Sequence, residues 1–281
     1  MKNVLLFLTL LITLSAFGQV KQRTINFPNK TEYPIKIPAK QHVWVFILAG
    51  QSNMAGRAFV ESNDTIPNQR ILSINNENEI ILAKEPMHFY EPKMSGLDCG
   101  MAFGLEIVKH IPDSISVMLI PTALGGSSID KWVNDSIHRK IKLLSNFKDK
   151  VEMAKNYGTI KAILWHQGES DALPILIPNY KNKLRLLFKE FRNSVGNESL
   201  IILTGGIGIF KDYHSDKKRI NQQIKDCAFN DPNTYLINTR NLKNIGDNLH
   251  FNSKSQRKIG KRLAEKYLKV VNYRLNLKNE I

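Results

Sequence analysis

The chain has 281 residues, 42% of them hydrophobic, only two cysteines, and a formal net charge of +15. Cys99 and Cys227 allow a single disulfide in an oxidising compartment, which excludes a cysteine-stapled scaffold and leaves stability to a packed core. The excess of Lys and Arg would suit acidic polysaccharides, anionic surfaces or nucleic acid. It is scattered, densest after Arg139, and lacks aromatic interleaving or a nucleic-acid motif, so it reads as a solvated basic surface with no nucleic-acid partner.

Residues 1–18, MKNVLLFLTLLITLSAFG, place one Lys before an apolar stretch that ends in small residues, the layout of a secretory signal peptide. Cleavage is expected near Gly18 or Gln19, and no Cys follows the apolar run to suggest a lipoprotein. Loss of Lys2 with the leader lowers the net charge from +15 to +14. The apolar run is short for the roughly 20 residues of a membrane span. No later stretch could serve as one, so the expected location is secreted or periplasmic. Residues 19–42, interrupted by Pro28, Pro34 and Pro38, read as an extended lead-in. Residues 43–281 then form one domain, with no internal repeat or composition shift to divide it.

Within that domain, short apolar runs alternate with longer amphipathic ones. Strands are expected at Val43 to Leu48, Ser116 to Pro121, Ile160 to Trp165, Ser199 to Leu203 and Thr234 to Ile237. Helices are expected near Gly100 to Ile111, His138 to Tyr157, Pro178 to Val195, Lys217 to Phe229 and Ser253 to Tyr273. In the last of these Ile259, Leu263, Tyr267 and Val270 keep near-helical spacing, with the charges on the wet face. The order predicts an α/β fold, a three-layer doubly wound parallel sheet. The segment RILSINNENEIILA predicts a hairpin on its periphery.

In such a sheet, ligands bind at the carboxyl ends of the strands. Unusual polar clusters collect there: GQSN after the first strand, ALGGSSIDKW after the second and WHQGESDA after the third, with GDNLHF just before the last helix. Ser52 leaves a strand on a turn where its hydroxyl can project as a nucleophile, although Ser is also a common helix N-cap. Met54 stands where the G-x-S-x-G elbow requires glycine, so that architecture is excluded. Asp247 precedes His250 by three residues, a spacing that lets the carboxylate meet one imidazole nitrogen while the other faces a hydroxyl. Candidate oxyanion donors are the amides of Ser52 and of Gly125 or Gly126, and the carboxamide of Gln167; Glu169, when ionised, has no proton to donate.

GQSNM, GGSSIDKW, HQGESDA and DNLHF together resemble, in order, the carbohydrate acetylesterase branch of the SGNH hydrolases, the group with sialate O-acetylesterases and acetylxylan esterases. The resemblance runs from about residue 43 to 267. It implies a flavodoxin-like SGNH hydrolase fold and an acetylated carbohydrate as substrate, with no cofactor and no metal. It also implies Ser52 as nucleophile, His250 as general base, Asp247 as its orienting carboxylate, and Ser52, Gly126 and Gln167 as oxyanion donors. Many SGNH members carry Asn in the third block where this chain reads Gln-Gly-Glu.

Two other readings use the same residues. His166, Glu169, Asp171, Asp247 and His250 could converge on a metal ion, although HQGE supplies no H-E-x-x-H spacing. A catalytically weak or inactive carbohydrate-binding module on the same fold is the other, with Trp132 and Trp165 either as sugar platforms or as packing. The sequence carries no signal of oligomeric state.

Overall fold

The apolar run Val43–Gly50 forms β1, and it is buried almost throughout because it lies mid-sheet with both faces covered. The computed structural model describes residues 24–210 and 215–279, so the expected leader lies outside the described residues. The other strands are β2 (Ile71–Ile74), β3 (Ile80–Leu82), β4 (Ser116–Pro121), β5 (Ile137–His138), β6 (Ile141–Lys142), β7 (Thr159–His166), β8 (Ile201–Gly205) and β9 (Thr234–Ile237). Seven of them form one sheet in the order β3-β2-β4-β1-β7-β8-β9. Every neighbouring pair is parallel except β2 with β3.

The helices are α1 (Ser52–Ala55), α2 (Gly100–Val108), α3 (Ile129–Val133), α4 (Leu143–Tyr157), α5 (Ile177–Val195), α6 (Ser215–Phe229) and α7 (Ser253–Asn279). Alternation along β1 divides the core. Val45 and Ile47 pack with Phe147 of α4, Leu184 and Phe188 of α5 and Ile224 of α6. Phe46 and Leu48 face the other way, onto Phe103 of α2 and Ile259, Leu263 and Tyr267 of α7. This is the expected three-layer arrangement. Cys99 belongs to one of these cores and Cys227 to the other; both are buried free thiols, so the disulfide that the sequence allowed is not formed.

The NNEN segment forms the expected hairpin at one end of the sheet, with β3 as the edge strand and β2 pairing on to β4. One local expectation needs correction. The helix expected from His138 starts at Leu143, because Ile137–Lys142 fold into the β5–β6 hairpin. Its two connecting residues, Arg139 and Lys140, have φ of 49° and 71°. Such a two-residue turn normally selects Asn and Gly, so nothing in the Arg-Lys pair announces it. The described part of the lead-in is tied to the domain: Leu82 N–H donates to Glu32 C=O at 2.8 Å, and Asn26 Nδ2 donates to Val60 C=O at 2.9 Å.

The chain passes to opposite sides of β1, with β4 on one flank and β7 on the other. The crevice at the carboxyl ends of these three strands is the switch point where open α/β sheets bind ligands. Among the described residues, no helix is long and apolar enough to cross a membrane.

Candidate active site

β1 ends at Gly50, whose φ is 141° and where a Cβ would run into the carbonyl oxygen of His166 at the end of β7. Only glycine allows the two strand ends to approach this closely. Gln51 N–H donates to His166 C=O at 3.0 Å, and Gln51 C=O accepts from Met54 N–H at 2.9 Å and Ala55 N–H at 2.8 Å. Ser52 therefore sits in the first turn of a short, pinned helix, 6% exposed.

The segment before α7 brings the distant pair to it. Asp247 Oδ1 accepts the backbone N–H groups of Leu249 and His250, each at 2.9 Å, and Oδ2 accepts from His250 Nδ1 at 2.6 Å. With Nδ1 as the donor to the carboxylate, Nε2 is left to face the Ser52 hydroxyl, 3.0 Å away. Burial raises the Asp247 pKa, but the two backbone donors and the imidazole outweigh it, so the carboxyl lies below its ordinary 3.8. Asn53 ties the two segments together. Its Oδ1 accepts Phe251 N–H at 3.0 Å, while Nδ2 donates to Leu249 C=O at 3.2 Å and to Glu169 Oε1 at 2.5 Å.

A cavity of about 260 Å³ opens over Ser52 and is also lined by Gln51, Arg57, Gly126, Arg139, Glu169 and His250. A larger cleft of about 670 Å³ lies at the ends of β8 and β9 and holds none of Ser52, Asp247 and His250. We assign the site to the smaller cavity, because the hydroxyl and the imidazole meet there. The loop after β4 is anchored on both sides of Gly125. Its N–H donates to Glu91 Oε2 at 2.6 Å, and its C=O lies 2.8 Å from His138 Nε2. Gly126, at φ 71°, is exposed, and its N–H has no acceptor among the described residues. Geometry thus separates the two glycines: Gly125 N–H is engaged and Gly126 N–H is available.

Gln167 is not where the sequence expectation puts it. The residue is fully buried, and its Nε2 faces Gln51 Oε1 at 3.1 Å, Ser127 C=O at 3.0 Å and Asp171 Oδ2 at 2.5 Å. Its Oε1 accepts from Tyr180 Oη at 3.0 Å. An amide with two protons and three acceptors has none left for a substrate oxygen. Glu169 lines the cavity but is an acceptor, bound to Asn53. The five residues of the metal reading also separate. Asp171 turns to Gln167 and Ile129 N–H, Asp247 and His250 turn to each other, and His166 is buried with its pKa lowered by desolvation despite Glu169 nearby. Trp132 and Trp165 are fully buried and pack edge to face at 5.3 Å, so they are packing residues and not platforms.

Two wall residues, Arg57 and Arg139, and the buried carboxylate of Glu91 that they share were missed by sequence reasoning. Arg57 Nη2 and Glu91 Oε2 form a buried ion pair at 2.6 Å, and Arg139, from the β5–β6 turn, pairs with the other Glu91 oxygen. Burial, with Arg139 nearby, lowers Arg57 to about 10. Arg57 lies only five residues after Ser52, but Glu91 and Arg139 are brought in by tertiary folding alone.

The model of the family described as carbohydrate esterase, sialic acid-specific acetylesterase matches residues 42–269. The chain belongs to this family. A probable carbohydrate esterase of Arabidopsis thaliana is 33% identical over 258 residues, which is 85% of this chain and 95% of the relative. The X-ray structure of that Arabidopsis protein superposes with a TM-score of 0.69 at 28% identity, covering 80% of this chain and 98% of the other. The crystal structure of NanS gives a TM-score of 0.66 over 84% of this chain and 100% of its own; at 14% identity this is a likeness of fold. The GQSNM, GGSSIDKW, HQGESDA and DNLHF blocks all lie inside the matched span of this carbohydrate esterase family member, and residues of each line the cavity over Ser52.

Proposed function

We propose that this carbohydrate esterase family member is a secreted or periplasmic serine esterase that removes O-acetyl groups from carbohydrates through an acyl-enzyme. The observation that carries the reading is the chain of hydrogen bonds from Asp247 through His250 to Ser52, with its 3.0 Å contact between imidazole and hydroxyl.

In this reading Ser52 Oγ attacks the acetyl carbonyl carbon while His250 Nε2 takes the hydroxyl proton and Asp247 steadies the resulting imidazolium. The carbonyl π electrons move onto oxygen, which receives the N–H groups of Ser52 and Gly126. Collapse breaks the bond to the sugar oxygen, which leaves with the proton from His250, and the acetyl group stays on Ser52. Water, deprotonated by His250, repeats the attack and releases acetate.

The small cavity favours a short acyl group, and the polar rim suits a hydroxyl-rich leaving group better than a lipid. The measurement is released acetate from a panel that includes O-acetylated sialic acid, acetylated xylo-oligosaccharides and an acyl chain-length series. Acetate release with falling rates at longer acyl chains is expected. Faster cleavage of octanoyl than acetyl esters would contradict the substrate assignment, and no acetate release from any sugar would favour a binding module.

A further inference from the structure

With Gln167 turned inward, the cavity has no side-chain donor in the position that the third sequence block was expected to fill. The residue preceding the nucleophile offers one. Gln51 is 2% exposed and forms part of the cavity wall beside Ser52 and Gly126. Its Oε1 accepts three N–H groups: Gln167 Nε2 at 3.1 Å, Ser170 N at 3.3 Å and Gly168 N at 3.4 Å. Two of those donors are backbone amides, which cannot accept a hydrogen bond, so the atom facing them must be the oxygen and not the NH₂ group. The amide orientation is thereby determined. Because the carboxamide is planar, fixing Oε1 on the 167–170 loop turns Nε2 the other way. Nε2 has no acceptor among the described residues.

We propose that Gln51 Nε2 is the side-chain donor of the oxyanion hole, acting with the N–H groups of Ser52 and Gly126, and that Gln167 is a positioning residue that holds Gln51 in this orientation. The proposal rests on the acyl-enzyme reading above. It accounts for two otherwise separate features. The Gln51 main chain is bonded at both its N–H and its C=O, so the donor is held by backbone on both sides. Gln167 is itself held by Ser127, Asp171 and Tyr180, which gives a buried chain of hydrogen bonds ending at the cavity. A donor fixed in this way costs little reorganisation when negative charge develops on the carbonyl oxygen.

The test uses Gln51→Glu and Gln51→Met with Ser52→Ala in parallel, assayed on 4-nitrophenyl acetate. Gln51→Glu keeps an oxygen for all three N–H donors while removing the NH₂ group; Gln51→Met removes the donor without adding charge. Both should lower kcat by about 10² to 10³ with a smaller change in KM, the usual loss for one oxyanion donor. The inhibition constant of phenylboronic acid, which forms a tetrahedral adduct on the serine, should rise with Gln51→Met by a comparable factor, whereas a merely structural residue would move Tm and not this ratio. If Gln51→Glu retains kcat within about threefold of wild type while Ser52→Ala is inactive, the oxyanion role is overturned and the serine mechanism stands. If Ser52→Ala keeps wild-type turnover, the acyl-enzyme reading fails and the proposal falls with it.

Discussion

Asn53 Oδ1 accepts the backbone N–H of Phe251 at 3.0 Å, so the residue after Ser52 holds the residue after His250. The same side chain reaches Leu249 C=O, on the other side of His250. Asn53→Ala should therefore loosen the His250 segment against Ser52 and lower kcat by about tenfold to a hundredfold, with less effect on KM, since small misplacements of reacting groups are costly. Unchanged steady-state kinetics in a folded variant would show that the segment is held by other contacts.

Asp247 makes a prediction about pH. Its folded pKa lies below the ordinary 3.8, so the ionised carboxylate stabilises the folded state above the unfolded pKa, and this contribution is lost as pH falls through the folded value. Asp247→Asn should thus lower Tm most above the unfolded value and approach wild type as pH falls from there through the folded one, which lies below 3.8. Turnover should fall as well, by up to about 10⁴ if the residue behaves as in the serine protease triad. Thermal melts over that range decide the sign; a variant whose Tm deficit grows toward acid would contradict it.

The buried ion pair Arg57–Glu91 should matter for stability. Glu91→Ala leaves a buried guanidinium without its partner and Gly125 N–H without its acceptor, a loss on the order of 3–5 kcal/mol. Chemical denaturation measures it directly, and a midpoint unchanged from wild type would contradict the buried placement. Because Glu91 also anchors the turn that presents Gly126, kcat should fall in the same variant.

Gln167→Ala should combine two effects. Asp171 Oδ2 and Ser127 C=O lose a buried donor, which costs about 1–3 kcal/mol, and Gln51 is released to change orientation. A lowered Tm together with a lowered kcat is expected. A kcat deficit with no loss of stability would restore the direct oxyanion role that the sequence suggested.

These cases show how much could be read from the chain. The layered, mostly parallel architecture was legible in the alternation of short apolar and longer amphipathic runs, and it brings Ser52, Gly126 and the third block to one rim because strand ends in a doubly wound sheet share a side. Asp247 and His250 are near in sequence, so their pairing was legible from spacing. The side-chain direction of Gln167 was not, because it depends on three acceptors supplied by Gln51, Ser127 and Asp171, which only tertiary folding brings together. Glu91 and Arg139 carried no local signal. One is a loop carboxylate that gains meaning only from the tertiary partners Arg57, Arg139 and Gly125 N–H, and the other sits in a tight turn without the usual Asn or Gly.

The central claim is that Ser52 carries the acetyl group during turnover. Rapid acid quench of wild type reacting with 4-nitrophenyl acetate, followed by peptide mass spectrometry, should find one acetyl group on Ser52, accumulating further in a variant slowed at His250 and absent from Ser52→Ala. Acetate release by Ser52→Ala at wild-type rate, with no acetylated Ser52 in the wild-type enzyme, would contradict the account.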